Sequence, residues 1–271
     1  MKKNKKLVEK TVLNTFQEEI PSIYFSDKNK SEYEKFKDNA EYVYRELFNF
    51  PKEMFKDKKL LDFGGGTGEQ TVYLTNWGAE ITHVEMNNMA IAIAKKVFKK
   101  HGSNINKHRF INTSIFDFDI NKKFDIVHSR GVFSHTYNKE KAFNKLASFL
   151  KPGGYLIFGD PNKIGGFQNM LQRFIVYSLG KSRDHMEEIC ETLFHDDITR
   201  SVKSRAVRTR RSIIFDRWII EQQDDPSIEE VLTLFQKNNL RFYSSHPKFI
   251  FPYLSNSVYS RNPFDIRLFK K

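Results

Sequence analysis

The chain has 271 residues, 39% of them hydrophobic, 26 phenylalanines and a formal net charge of +12, a composition that fits a folded protein large enough for one big domain or a domain with an insertion. No stretch approaches 18 uninterrupted apolar residues, and Met1-Lys2-Lys3-Asn4-Lys5-Lys6 is not followed by an apolar run, so a membrane span and a signal peptide are excluded and the cytoplasm is the expected compartment. The single Cys190 excludes an internal disulfide and a cysteine metal cluster.

The predicted elements begin with a weakly helical pattern over Thr11 to Pro21, then a clear one over Ser31 to Phe50, where Tyr33, Phe36, Ala40, Val43, Tyr44, Leu47 and Phe48 recur at helical spacing. From Leu60 the pattern alternates. Leu60 to Phe63 is a strand, Gly68 to Trp77 a helix, Ile81 to Glu85 a strand, Met89 to Lys100 a helix and Arg109 to Asn112 a strand. Phe124 to His128 and Tyr155 to Gly159 are further strands, the latter entered through the turn Lys151-Pro152-Gly153-Gly154. After Asp160 the alternation stops. Helical patterns over Gly166 to Leu179 and Met186 to Ile198 precede a helix over Ser227 to Leu240 and a strand over Arg241 to Ser244; the course of Phe249 to Lys271 is not predicted. Four regions follow: a basic tail with cap helices (1–57), an alternating core (58–162), a helical insertion (163–225), and a last crossover helix with closing strands (226–271).

The stretch Leu60-Leu61-Asp62-Phe63-Gly64-Gly65-Gly66-Thr67-Gly68 is where a strand meets a glycine turn. Such a turn allows positive φ and close approach of a ligand, and a helix after it would add an anion site. A tight connection without any ligand fits the glycines alone equally well. The spacing narrows the ligand. A dinucleotide fingerprint would need its third glycine at Glu69, and a phosphate loop would need a lysine that is absent. Glu85, 23 positions after Asp62 and at the end of the next strand, is a carboxylate suited to the two hydroxyls of a ribose.

Asp62 followed by Gly64-x-Gly66-x-Gly68 resembles the first motif of the class I S-adenosylmethionine-dependent methyltransferases, and the order of motifs out to about Asn162 resembles that family too. The resemblance implies an α/β fold, a Rossmann-like, doubly wound and mostly parallel seven-stranded sheet with N-terminal cap helices and a helical insertion after the fifth strand. It also implies S-adenosylmethionine as cofactor with S-adenosylhomocysteine as product, and no metal. Asp62, Gly64, Gly66 and Gly68 would hold the methionine end of the cofactor, Glu85 the ribose, and Met86, Ser114 and Ile115 the adenine. Ser114 stands where family members often have Asp. Ser129-Arg130-Gly131-Val132-Phe133-Ser134-His135 would face the transferred methyl, Ser129 on the cofactor side. The segment lacks the Asn/Asp-Pro-Pro-aromatic signature of enzymes that methylate amino groups on nucleic acids.

A hydroxyl acceptor must lose a proton, and His135 is the candidate catalytic base, with Asp160, His185 and His195 behind it. The charge suggests the acceptor. Arg200, Lys203, Arg205, Arg208, Arg210, Arg211 and Arg217 stand against one acid, Asp216, in their span, six of the net twelve. Arginine suits phosphate and carboxylate, so Arg200, Arg208 and Arg211 in the insertion, with Arg130 and Asp160 at the sheet edge, are the expected substrate contacts. A further similarity of Phe167 to Trp218 to methyltransferases of surface-polysaccharide tailoring implies a small anionic acceptor, a phosphate-, phosphoramidate- or nucleotide-bearing sugar precursor. Two other functions fit parts of the sequence: an RNA methyltransferase, which the charge permits although no RNA-binding motif is appended, and a non-catalytic cofactor-binding regulator. The oligomeric state, monomer or dimer, is left open.

Overall fold

A computed structural model describes residues 4–20, 30–204 and 208–246. Its centre is a parallel sheet of five strands, β1 (Lys59–Phe63), β2 (Glu80–Glu85), β3 (Arg109–Asn112), β4 (Phe124–Arg130) and β5 (Leu150–Gly159), in the order β3-β2-β1-β4-β5. The chain moves outward in one direction from β1 to β3 and in the other through β4 and β5. That reversal opens a crevice at the C-terminal ends of β1 and β4, the place where open α/β sheets bind ligands.

Because side chains alternate along a strand, β1 sends Leu60 into one core and Leu61 and Phe63 into another. The first core collects Tyr33, Tyr44, Phe50, Phe55, Tyr73 and Phe98, with α2 (Lys30–Tyr42) and α4 (Asn88–His101) over it. The second collects Phe124, Phe133, Phe143 and Phe149, under α5 (Lys139–Ser148) and α10 (Ile228–Lys237). A fully buried side chain of this size contributes about 1.5–3 kcal/mol, so two aromatic layers on both faces hold the sheet. Tyr33 and Phe36 belong to the first core and touch Tyr73 and His101.

Several expectations are corrected. The sheet has five strands among the described residues where seven were expected, since residues 241–246 are irregular and 247–271 lie outside the description. Tyr243 and Ser244 instead donate to the carbonyls of Asn49 and Phe48. The helix after the glycine turn is the short α3 (Val72–Asn76) and does not start at Gly68, because Gly68 has φ of +76° and cannot be α-helical. The Ser31–Phe50 helix ends at Tyr42 and continues as a wider π-helical turn over Val43–Leu47. The weak N-terminal pattern is a regular 14-residue helix, α1 (Lys5–Glu18).

Beyond β5, α6 (Phe167–Leu179), α7 (Arg183–Leu193), α8 (His195–Ser204) and α9 (Arg210–Ile214) build a separate small core of Val176, Cys190, Ile198, Ile213, Phe215 and Trp218. Phe194 stacks on Trp218 and the Arg217 guanidinium lies over it. Burial pushes the Cys190 thiol up to about 12. No helix among the described residues is long and apolar enough to cross a membrane.

Candidate functional site

The turn after β1 takes its shape from three glycines at positive φ, Gly64 (+77°), Gly66 (+54°) and Gly68 (+76°). Gly64 and Gly65 donate to the carbonyl of Val84, which pulls the turn against β2. A Cβ at Gly64 would lie 2.6 Å from Val132, and one at Gly68 would lie 2.7 Å from Phe98, so neither position has room for a side chain. Gly66 differs, because a Cβ there would meet nothing within 4 Å. The turn is therefore packed at both ends and open in the middle.

Asp62 is buried beneath it. Its carboxylate accepts from Thr71 Oγ1 at 2.7 Å, His128 Nδ1 at 2.9 Å and His83 Nδ1 at 3.2 Å. Burial works against ionisation here, yet the bonds from His128 and His83 hold the carboxyl well below the usual carboxylate range. Its oxygens are thus engaged by three protein donors, which tie β1 to β2, β4 and the turn. Neither histidine was singled out from sequence. The signal was there, since each lies in a run of apolar strand residues, Ile81-Thr82-His83-Val84 and Ile126-Val127-His128, and the parallel register sets both opposite Asp62.

Glu85 ends β2 beside the turn. Its Oε2 accepts from the Gly66 amide at 2.9 Å and its Oε1 from the Asn87 amide at 2.8 Å, while burial raises its pKa. The structure thus brings Gly66 and Glu85 into direct contact. Asn87, not anticipated, caps α4 through Met89 and Ala90. Met86 is half-buried, its carbonyl receiving the Asn112 amide at 2.9 Å. Ile115 is buried in the second core, and the Ser114 hydroxyl donates to Glu9 of α1. Ser129 is fully buried and donates to the carbonyl of Phe63 at 2.9 Å, joining β4 to β1 directly below the turn.

The loop after β4 faces the turn from the other side through Val132. Asp160 accepts from the amides of Phe133 and Ser134, at 3.0 and 3.2 Å, and from the Ser134 hydroxyl; burial raises its pKa. It caps the short turn that carries His135. His135 is half-buried, edge-on to Phe16 of α1, with Nδ1 2.8 Å from the carbonyl of Gln222. A carbonyl only accepts, so Nδ1 carries the hydrogen and the lone pair of a neutral ring is at Nε2. Asp160 and Asp225 both interact electrostatically with this ring. Arg130 donates to Gln70 at 2.7 Å, at the rim of the glycine turn.

Among the described residues, Arg200, Arg208, Arg210 and Arg211 are bonded to protein carboxylates. Arg200 pairs with Asp197, and Arg208 is buried and bonds Asp216 at 2.9 Å and the carbonyl of Ser212 at 3.0 Å. Arg210 pairs with Glu191. Arg211 lies over the Phe215 ring and bonds Glu187, Glu18 and Glu19. Arg200 and Arg208 find their carboxylates nearby in sequence, whereas the partners of Arg210 and Arg211 come from α7 and α1, which a local count does not reach. Arg205 lies outside the described residues.

These contacts also give α1 its place. Glu9 reaches Ser114, Lys5 reaches Asp117, the Phe16 carbonyl takes the Asn87 amide, and Gln17 donates to Asn88. Arg183 and Arg211 then hold the C-terminal end of α1 through Glu18. The helix thus runs past residues that follow β2, β3 and β4, along the ligand-binding edge.

Residues 36–195 match the family model described as a methyltransferase domain. The chain is 31% identical over 108 residues to the ubiquinone biosynthesis O-methyltransferase of Coxiella burnetii, covering 40% of this chain and 45% of that protein. It is 32% identical over 99 residues to malonyl-[acyl-carrier protein] O-methyltransferase 2 of Ilyobacter polytropus, covering 36% of this chain and 38% of that protein. The matches therefore span less than half the length of these relatives. In three dimensions the chain is similar to PKMT2 from Rickettsia typhi, solved in complex with AdoHcy, with a TM-score of 0.55, 19% identity, and coverage of 73% of this chain and 42% of that one. At that identity the likeness speaks for the fold alone.

Proposed function

We propose that this chain, which belongs to the class I S-adenosylmethionine-dependent methyltransferases, transfers a methyl group to a hydroxyl of a small-molecule acceptor with His135 as general base. The residues fit the cofactor. Gly66 leaves open space above a turn whose flanks are closed, and Glu85 offers a carboxylate next to it. In this reading the turn holds the methionine end, Glu85 the ribose, and Ile115 with Ser114 the base. When bound, the cofactor supplies a methyl on a sulfonium, an electrophile open to direct displacement.

The observation that carries the reading is the bond from His135 Nδ1 to the Gln222 carbonyl. It fixes the tautomer in which Nε2 can take a proton from an acceptor hydroxyl. The Phe16 ring packs against His135, and α1 helps exclude water from the reacting atoms. Positioning supplies much of the rest of the rate.

The acceptor expected from sequence, a phosphate-, phosphoramidate- or nucleotide-bearing sugar precursor, drew on the similarity of Phe167 to Trp218 to polysaccharide-tailoring enzymes and, for its negative charge, on support from the arginine block. With Arg208, Arg210 and Arg211 bonded to protein carboxylates, that support is gone and the proposal keeps only the hydroxyl. Labelled methyl transfer from S-adenosylmethionine to a panel of hydroxyl-bearing small molecules tests it. His135→Ala is expected to lower turnover by about 10²–10⁴-fold while S-adenosylhomocysteine still binds. Full activity of the variant across neutral pH would remove His135 as base.

A further inference from the structure

Two histidines share Asp62, and their second nitrogens meet opposite surroundings. An ionised carboxylate only accepts, so the Nδ1 atoms of His83 and His128, both within bonding distance of it, donate. The other nitrogen of His83 lies 3.0 Å from the carbonyl oxygen of Gly66, which also only accepts. A neutral imidazole has one N–H and one lone pair, and a lone pair at that distance from a carbonyl oxygen is repulsive. His128 Nε2, in contrast, is buried without a partner among the described residues, so a second proton there would be a costly unpaired donor.

We propose that His83 is a positioning residue for the cofactor turn: doubly protonated, it carries the positive charge that balances Asp62 and holds the Gly66 carbonyl through Nε2–H, while His128 is neutral. The proposal rests on reading the turn as the cofactor holder. β2 then grips the Gly66 residue twice, His83 at its carbonyl and Glu85 at its amide. The grip is close. His83 is 0% exposed, and a Cβ on Gly65 would collide with its ring and with the Asp62 carboxylate, so glycine at 65 is required by the histidine beneath it.

The charged and titratable groups facing His83 are Asp62 from β1, His128 from β4 through that carboxylate, and Glu85 from its own strand. From α4 and β3 it meets the rings of Phe98 and Phe110. Loss of the second proton leaves an acceptor facing an acceptor at Gly66. Cofactor affinity therefore falls as pH rises.

Two measurements on the full chain test this. Long-range ¹⁵N–¹H spectra of histidine-labelled protein near neutral pH, assigned with His83→Gln, should give His83 two protonated nitrogens and His128 one protonated and one bare. A bare nitrogen on His83 under those conditions overturns the proposal. In calorimetric titrations, wild-type affinity for S-adenosylhomocysteine should fall as pH is raised, by about tenfold or more, the worth of one hydrogen bond from a charged donor. His83→Gln should bind more weakly with a flat profile. A flat wild-type profile, or an unchanged slope in His83→Gln, overturns the positioning role. Absence of binding at every pH with both His83 nitrogens protonated sinks the cofactor reading and leaves the ring charge standing.

Discussion

The sheet core and the α6–α9 cluster both have to balance charge, and they do it in opposite ways. Under the glycine turn one carboxylate, Asp62, is buried and receives three donors from β2, β4 and the turn. In the α6–α9 cluster several arginines are spread over half-exposed pairs, and Arg211 alone touches three glutamates. A buried pair is worth little net but costs a great deal to break, while exposed pairs contribute little either way. The comparison teaches that charge fixes geometry in the core and tethers elements at the periphery.

The largest expected effect comes from breaking the buried half. Asp62→Ala leaves two histidine N–H groups without an acceptor and is expected to cost about 3–5 kcal/mol, read as a fall in Tm together with loss of S-adenosylhomocysteine binding. The same carboxylate predicts an acid limb. Because the folded state holds Asp62 ionised below the usual range, its stabilisation is complete above about pH 4 and is lost as pH falls below it, which denaturant midpoints measured across acidic pH will follow.

An intermediate effect sharpens the comparison by leaving the charges in place. Gly65→Ala drives a methyl into His83 and Asp62 and is expected to cost about 1–3 kcal/mol through overpacking, with cofactor affinity falling more than global stability. The smallest effect belongs to the periphery. Arg211→Ala removes half-exposed pairs and is expected to cost about 0.5–1 kcal/mol in denaturant titration, yet to speed limited proteolysis within α1, whose end it holds. A loss from Arg211→Ala equal to that from Asp62→Ala would break the contrast.

The core was legible in the sequence because its signals are local. Leu60-Leu61-Asp62-Phe63 reads as a strand and three glycines at alternate positions read as a turn; both are found where expected, and β3 spans Arg109–Asn112 as predicted. What was not legible depends on partners distant along the chain. No spacing rule links Asp62 to His83 and His128 until the strands are set in register. Nor does a local charge count show that Glu18, Glu187 and Glu191 neutralise arginines elsewhere. The start of α3 is not legible because Gly68, which by pattern opens the helix, adopts positive φ and delays it to Val72.

The tether of α1 has a consequence for the order in which the molecule is made. Thr15 and Glu18 bond to Arg183 and Arg211, partners 168 and 193 positions later. At synthesis rates of 5–20 residues per second, roughly 10–40 s separate the emergence of Glu18 from that of Arg211. Through that interval all five strands can pair, since the last of them ends at Gly159, while the helix along the ligand edge lacks the contacts that anchor its end. The nascent chain thus completes its glycine turn before it can fasten the helix that runs along the edge, and contacts so distant in sequence are the slow ones to close.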